Sequence, residues 1–297
     1  MNRRTFLLGS LATLFSARLA KWMSPSKEEI VKNMEPLATS LAQPLKIPTQ
    51  EPQELSREIP GVVEKISAVS AKAEKTNFYQ NYSDDDRNNL LEKVKTEKEQ
   101  TSNVYSKDDL DIIIANCLGN QPLVDQVLSE VEFSPAFLKT QIPQLVTAVI
   151  FVESKGNRLE ESDDIGAKGL MQLKDGTADE VAKELGLVSF DIFDQKTNVT
   201  LGMKYLEKLY RIFPEVGLAL WAYHLGMGNM LDAIKNKVGD QEINFENVAQ
   251  VILENKLNFE NVVSSPFVSQ MIKLGVFGDD TGYYVPRILA VNNLLAN

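Results

Sequence analysis

The chain has a single cysteine, Cys117, and a single histidine, His224, among 297 residues. One cysteine excludes an intramolecular disulfide and a zinc site built on cysteines. With one histidine, a Ser-His-Asp mechanism would rest on His224 alone. Basic charge is also scarce, with 31 Lys+Arg against 41 Asp+Glu and a net charge of −10. A chain without a basic excess cannot release counterions from a phosphate backbone, so nucleic acid is not expected as a partner. Strand patterns are few, apart from a short hairpin expected through 165–173. Proline is thinly spread, except that six of its twelve occurrences fall between Pro25 and Pro60.

What remains is ordinary material for folding. Apolar residues make up 43% and charged residues 24% of a chain with room for roughly two domains. Residues 1–22 carry Arg3, Arg4, Arg18 and Lys21 and no acid. Paired arginines before Thr5-Phe6-Leu7 and a short apolar run resemble a twin-arginine export signal. That run is too brief for a spanning helix, which needs about 20 apolar residues. Residues 1–22 are therefore read as a signal, and the protein is expected to be exported to the periplasm or cell envelope. Membrane contact is expected only through this signal segment. The proline-rich stretch 23–60 reads as a linker.

Residues 61–138 read as a helical N-terminal region. Within it, 62–72 and 84–98 are expected to be polar, solvent-facing helices, and 110–118 and 123–131 to pack against something. From 139 to 297 the pattern is that of a second helical domain, with a helical insertion expected at 236–278. Gln144 to Glu153 places Leu145, Val146, Val149 and Ile150 on one helical face, and Glu153 shares that face with Val149. Thr177-Ala178-Asp179-Glu180 reads as a capping box for a helix stopped by Gly186. A helix from Asn198 to Ile212 should end at Pro214, and one from Val216 to His224 at Gly226 and Gly228. The fold class is mainly α.

Glu153 carries the chemical interest. A carboxyl at the C-terminal end of an apolar helix faces the negative end of the dipole in dry surroundings, and both raise its pKa. A carboxylic acid protonated near neutral pH is what a general acid for glycosidic cleavage requires. Taken alone, a Glu at a helix end is most often a solvated terminus. Its neighbours decide the matter: Glu153-Ser154, Ser162, Gly166-Ala167-x-Gly169-Leu170-Met171-Gln172, Thr177-Ala178, Asn198 with Gly202 and Tyr205-Leu206, Ala222-Tyr223 with Gly226, and Tyr284-Val285. In this order and near this spacing, they resemble the soluble lytic transglycosylases, a family of the lysozyme-like superfamily related to goose-type lysozyme.

The resemblance implies a lysozyme-like helical catalytic domain with a sugar-binding cleft. It also implies that Glu153 is the single catalytic acid and base. Ser154, Ser162, Met171, Gln172, Tyr223 and Tyr284 would bind the glycan, with Tyr284 hydrogen-bonding near Glu153. Asn198 and Gly202 would be structural, Gly202 allowing close helix packing. The implied reaction cleaves the β-1,4 bond between N-acetylmuramic acid and N-acetylglucosamine in peptidoglycan and leaves a 1,6-anhydro ring. No cofactor or metal is implied, and any protein partner would dock on the N-terminal region.

The chain departs from the family pattern in several places. Leu173-Lys174-Asp175 stands where x-Met-Pro is usual, His224-Leu225 where Asn-Ala is common, and Asp280 where a Glu is usual before Thr281. Glu153 and Gly169 are one residue further apart than in the common form. Two other readings stand beside this one. One is a muramidase in which water attacks with Asp164 or Asp175 as base. The other is a non-catalytic peptidoglycan-binding scaffold. His224 is expected to pack or touch glycan rather than act as a base.

Overall fold

The apolar segment that leads to Glu153 forms the central helix of the structure, a computed structural model that describes residues 78–79, 81–162 and 166–296. The signal, the proline-rich stretch and the helix expected at 62–72 lie outside the described residues, as does Asp164.

Among the described residues, four helices come first in chain order: α1 (Asp84–Val104), α2 (Lys107–Leu118), α3 (Gln121–Glu130) and the one-turn α4 (Pro135–Leu138). Next are the central α5 (Ile142–Ser154) and a hairpin of β1 (Ala167–Lys168) and β2 (Leu173–Lys174). There follow α6 (Asp175–Glu184), α7 (Gln195–Ile212), α8 (Val216–Leu225) and α9 (Met227–Val238). The chain closes with α10 (Val248–Glu254), α11 (Phe259–Val263), α12 (Pro266–Lys273), a 3-10 turn at Thr281–Tyr283 and α13 (Tyr284–Leu295). The class is mainly α, as the sequence indicates, and the expected hairpin is present with Ala167 opposite Lys174.

Helix α5 was expected to bury one face, but it is buried on every side from Ile142 to Phe151 except at the exposed Gln144. Helices α2, α3, α4, α7 and α13 surround it. That arrangement explains why its apolar residues run almost continuously instead of forming a stripe.

Helix α1 corrects a second expectation. It extends to Val104 and is not solvent-facing all round, because Leu90, Val94, Glu97 and Thr101 form a buried stripe. They recur at i, i+4, i+7 and i+11, which is helical spacing, and α1 packs chiefly on α13. Two of the four are polar, so hydropathy hides the pattern. Fully burying a Leu or Val contributes about 1.5–3 kcal/mol. Polar contacts add register: Lys93 pairs with the buried Glu260 at 2.6 Å, Arg287 with the buried Glu97 at 2.8 Å, and Asn258 donates to Asn81 O and Asp86.

Local signals meet mixed fortunes. Helix α6 starts at Asp175 on an N-cap of Lys174 with no side-chain cap, so Thr177 lies inside the helix and the expected capping box does not form. Its end is as read: Gly186 is left-handed (φ 72°), with Gly186 N–H donating to Lys183 O and Leu187 N–H to Ala182 O. Helix α7 begins at Gln195 on an Asp194 cap, three residues before Asn198. Helix α8 stops at Gly226 (φ 85°), whereas Gly228 belongs to α9.

Glu215 opens α8 from a buried position. Its carboxylate accepts from Gly217 N–H (3.0 Å), Leu218 N–H (2.7 Å) and Phe259 N–H (3.2 Å). One side chain thus caps α8 and ties it to α11. Each buried donor left unpaired costs about 1–3 kcal/mol, so Glu215→Ala should lower stability by about 2 kcal/mol or more in urea unfolding. Glu215→Gln, which keeps an acceptor, should cost less.

Candidate active site

Helix α5 ends abruptly. Lys155 takes the left-handed conformation (φ 54°), unusual for a residue with a Cβ, and its N–H closes the last turn on Phe151 O. Gly156 follows at φ 76°, where a Cβ would lie 3.1 Å from Asn116 and Cys117 of α2. This sharp exit leaves Glu153 half-buried in the final turn. There it meets Tyr284 from the start of α13, whose hydroxyl donates to Glu153 Oε1 at 2.5 Å.

Burial pushes the Glu153 pKa up to about 7. The Tyr284 hydrogen bond opposes the rise by favouring the charged form, and the Asp280 carboxylate reinforces it. Tyr284 is itself 3% exposed, and His224 stacks on its ring at 4.4 Å and 16°. Tyr223 also faces Glu153, and its pKa is raised well above the ordinary value, first by burial and then by the Glu153 charge.

The residue after Glu153 reaches the turn 168–172, whose four successive carbonyls each accept a side-chain hydrogen bond. Asn198 Nδ2 donates to Lys168 O (3.0 Å), and Gln172 Nε2 to Gly169 O (3.0 Å). Ser154 Oγ donates to Leu170 O (2.8 Å), and Tyr223 Oη to Met171 O (2.6 Å). Asn198 also accepts from Met171 N–H (2.8 Å) and donates to Ile192 O (2.9 Å). Gln172 holds φ 47° while its amide also reaches Glu160 O. Gly169 is required twice, since φ is 77° and a Cβ would lie 2.3 Å from Asn198 Nδ2.

The seven expected site residues divide accordingly. Tyr284 bonds Glu153 and Tyr223 lies within reach of its charge, while Gln172 belongs to the turn that Tyr223 pins. Ser154 (2% exposed) and the Met171 side chain (0%) point inward. Ser154 holds the turn, and Met171 fills the space over Gly202, where a Cβ would stand 2.4 Å from its sulfur. Gly202 therefore admits a methionine from the turn, not a second helix. Ser162 is half-buried and its N–H pairs with Ala167 O at the hairpin edge. Asn198, expected to be structural, is fully buried and makes two bonds to the backbone of the turn and one to Ile192 O. Besides its place among the motif residues, its signal is a polar residue at a core position of an amphipathic helix.

Another buried carboxyl, Glu215, is also pushed up to about 7 by burial. Both its oxygens are engaged by backbone N–H groups, which makes it a cap. Asp175, a candidate base, has both oxygens on the Lys168 ammonium (2.9 and 3.0 Å). Among the described residues, no group of three His, Cys, Asp or Glu side chains is placed to hold a metal ion.

Helix α5 thus ends in a carboxyl of raised pKa, and the next residue, Ser154, pins a Gly-Leu-Met-Gln turn. Residues 136–245, a little over a third of the chain, match the family described as Transglycosylase SLT domain. The chain is 37% identical over 97 residues to the membrane-bound lytic murein transglycosylase F of Desulfosudis oleivorans. That match takes in 30% of this chain and 20% of that protein, so the similarity spans about a fifth of the relative. Among solved structures, the 70 kDa soluble lytic transglycosylase of Escherichia coli is 18% identical (TM-score 0.44, 78% of this chain and 32% of that one). An inactive mutant of the lytic transglycosylase Slt of Pseudomonas aeruginosa is 17% identical (TM-score 0.43, 94% and 44%). These two likenesses are too distant to carry an argument.

The raised Glu153 pKa has a consequence for stability. The folded state binds the proton more tightly than the unfolded chain, so this contribution is complete below about pH 4.5 and is lost as pH rises through about 7. Glu153→Gln should therefore raise the melting temperature by roughly 2–4 °C at pH 8 and change it little at pH 4. Asn198→Ala should lower it at every pH, and Met171 N–H should lose its protection from hydrogen exchange.

Proposed function

We propose that the protein is a peptidoglycan lytic transglycosylase, exported to the periplasm or cell envelope, with Glu153 as its single acid and base. The observation that carries this reading is the half-buried Glu153 carboxyl, held by Tyr284 and pushed to about pH 7. It stands within the segment that matches the SLT transglycosylase family.

The geometry supports the following course. Protonated Glu153 delivers its proton to the oxygen of the β-1,4 bond between N-acetylmuramic acid and N-acetylglucosamine. The C–O bond breaks and the substrate's own N-acetyl group supports the cationic centre, a substrate-assisted route outside the two-carboxylate scheme. Glu153, now a carboxylate, removes the proton from the C6 hydroxyl of the same muramic acid. That oxygen attacks the anomeric carbon and closes the 1,6-anhydro ring, with no water consumed. Intramolecular attack needs no second carboxylate to position a nucleophile.

Tyr284 keeps the carboxyl in place through both proton transfers. Gln172 and Tyr223 present polar edges to the glycan, while Ser154 and Met171 act through the backbone of the turn they hold. The division into signal 1–22, linker 23–60, N-terminal helical region 61–138 and catalytic domain 139–297 with a helical insertion at 236–278 belongs to the same proposal. So does docking of an envelope protein on the N-terminal region. Among the described residues, no helix is long and apolar enough to cross a membrane.

Mass spectrometry of the material released from purified sacculi tests the reading. Fragments with anhydro ends, one water lighter than hydrolysis products, are expected from the wild type and should disappear with Glu153→Gln. Reducing ends would instead identify a muramidase. Sacculus binding without release by either protein would identify a scaffold.

A further inference from the structure

Helix α1 lies outside the segment that matches the transglycosylase family, yet it reaches the acid through a chain of charges. Glu97, 3% exposed, accepts from Arg287 Nε at 2.8 Å. The same guanidinium turns its Nη1 toward Asp280 Oδ2 at 3.4 Å. Arg287 stands one turn beyond Tyr284 on α13, and Tyr284 holds Glu153. One cation is thus shared between a buried carboxylate from α1 and an exposed one at the approach to α13. The planar fork of arginine suits that bridging role better than a lysine would.

We infer that Glu97 is a positioning residue for Glu153: it pairs with Arg287, one turn beyond the tyrosine that holds the acid, and so sets how that guanidinium is shared with the Asp280 carboxylate. The inference rests on Glu153 being the proton donor.

The groups around the acid set the direction of each effect. Asp280 favours protonated Glu153, first after burial among the influences that do so. Tyr284 and Tyr223 face Glu153 directly, from α13 and α8. Tyr205 of α7 lies behind Tyr223, with ring centres 5.5 Å apart. His224 covers Tyr284 and feels Asp280, Arg287 and Lys174 of β2. Arg287 is the cation closest in sequence to Tyr284, and Glu97 holds it from the far side. Without the Glu97 charge, the guanidinium would spend its field on Asp280 and on Tyr284, the donor to the acid. Both effects favour ionised Glu153.

The alternative is a plain strut, in which the Glu97–Arg287 pair only fastens α1 to α13. A strut affects folding but does not move the titration of a group it never touches. The test is the pH profile, from about pH 5 to 9, of anhydro-product release from sacculi by the full chain, with melting temperature recorded for each variant. In the wild type, activity should fall at high pH as Glu153 loses its proton.

Glu97→Gln keeps an acceptor for Arg287 and removes only charge. It should move that alkaline limb down by about half a pH unit, a roughly threefold loss of rate above the limb. Asp280→Asn, at an exposed position that does not threaten folding, should move the limb the same way. The double variant Glu97→Gln with Arg287→Gln leaves Asp280 unopposed and should move it upward. Because His224 stacks on Tyr284 and its pKa is lowered by burial, the order must persist in a His224→Gln background.

Opposite shifts from variants that disturb the same packing would support the positioning role. A limb that stays in place in all three, whatever happens to melting, would overturn it. A wild type that releases no anhydro ends, or keeps releasing them with Glu153→Gln, would instead overturn the functional reading itself.

Discussion

The hydrogen bond from Tyr284 to Glu153 joins the two elements on which the site depends. It links the last turn of the central helix to the first residue of the final helix, 131 positions later in the chain. Placing a carboxyl here is costly, because burial disfavours its charge and the helix end adds to the penalty. The fold answers with one strong donor rather than several, so the carboxyl is oriented without being locked in its ionised form. Glu215 makes the contrast clear. It is more deeply buried, but three backbone N–H groups engage it, and it caps α8 and ties it to α11.

The pinned turn obeys the same logic of fixed geometry. Every carbonyl from Lys168 to Met171 accepts a bond from a side chain rooted elsewhere: α5, α7, α8, or the turn's own Gln172. A catalytic constellation needs positions held to a fraction of an ångström. A turn this short cannot supply that stiffness from local backbone bonds alone. The left-handed Lys155 and Gln172 flank the site on either side, and strain of that kind persists only where surrounding contacts over-determine it.

Much of this was legible in the sequence where local chemistry governs. The apolar run before Glu153, the hairpin after Gly166 and the left-handed stop at Gly186 all follow from periodicity and glycine conformational freedom. Other features depend on partners far along the chain. Glu97 and Thr101 look like solvated positions until Arg287 and α13 arrive beside them. Thr177 looks like a cap, but pairing of β2 with β1 carries the chain directly into α6 at Asp175. Ser154 and Met171 sit within the most informative motif, yet both turn inward. A motif records that a residue matters without recording which way it points. Asn198 shows the converse, because a buried amide satisfying three backbone groups leaves, besides its motif, only a polar residue in an otherwise apolar stripe.

The most direct test of the account is the titration of Glu153 itself. Carbon-detected NMR of side-chain-labelled glutamate can follow the carboxyl across pH, with Glu153→Gln identifying its resonance. The account predicts a midpoint near 7, rising further with Tyr284→Phe because the donor that favours the anion is gone. A midpoint near the ordinary 4.5, unmoved by Tyr284→Phe, would contradict it.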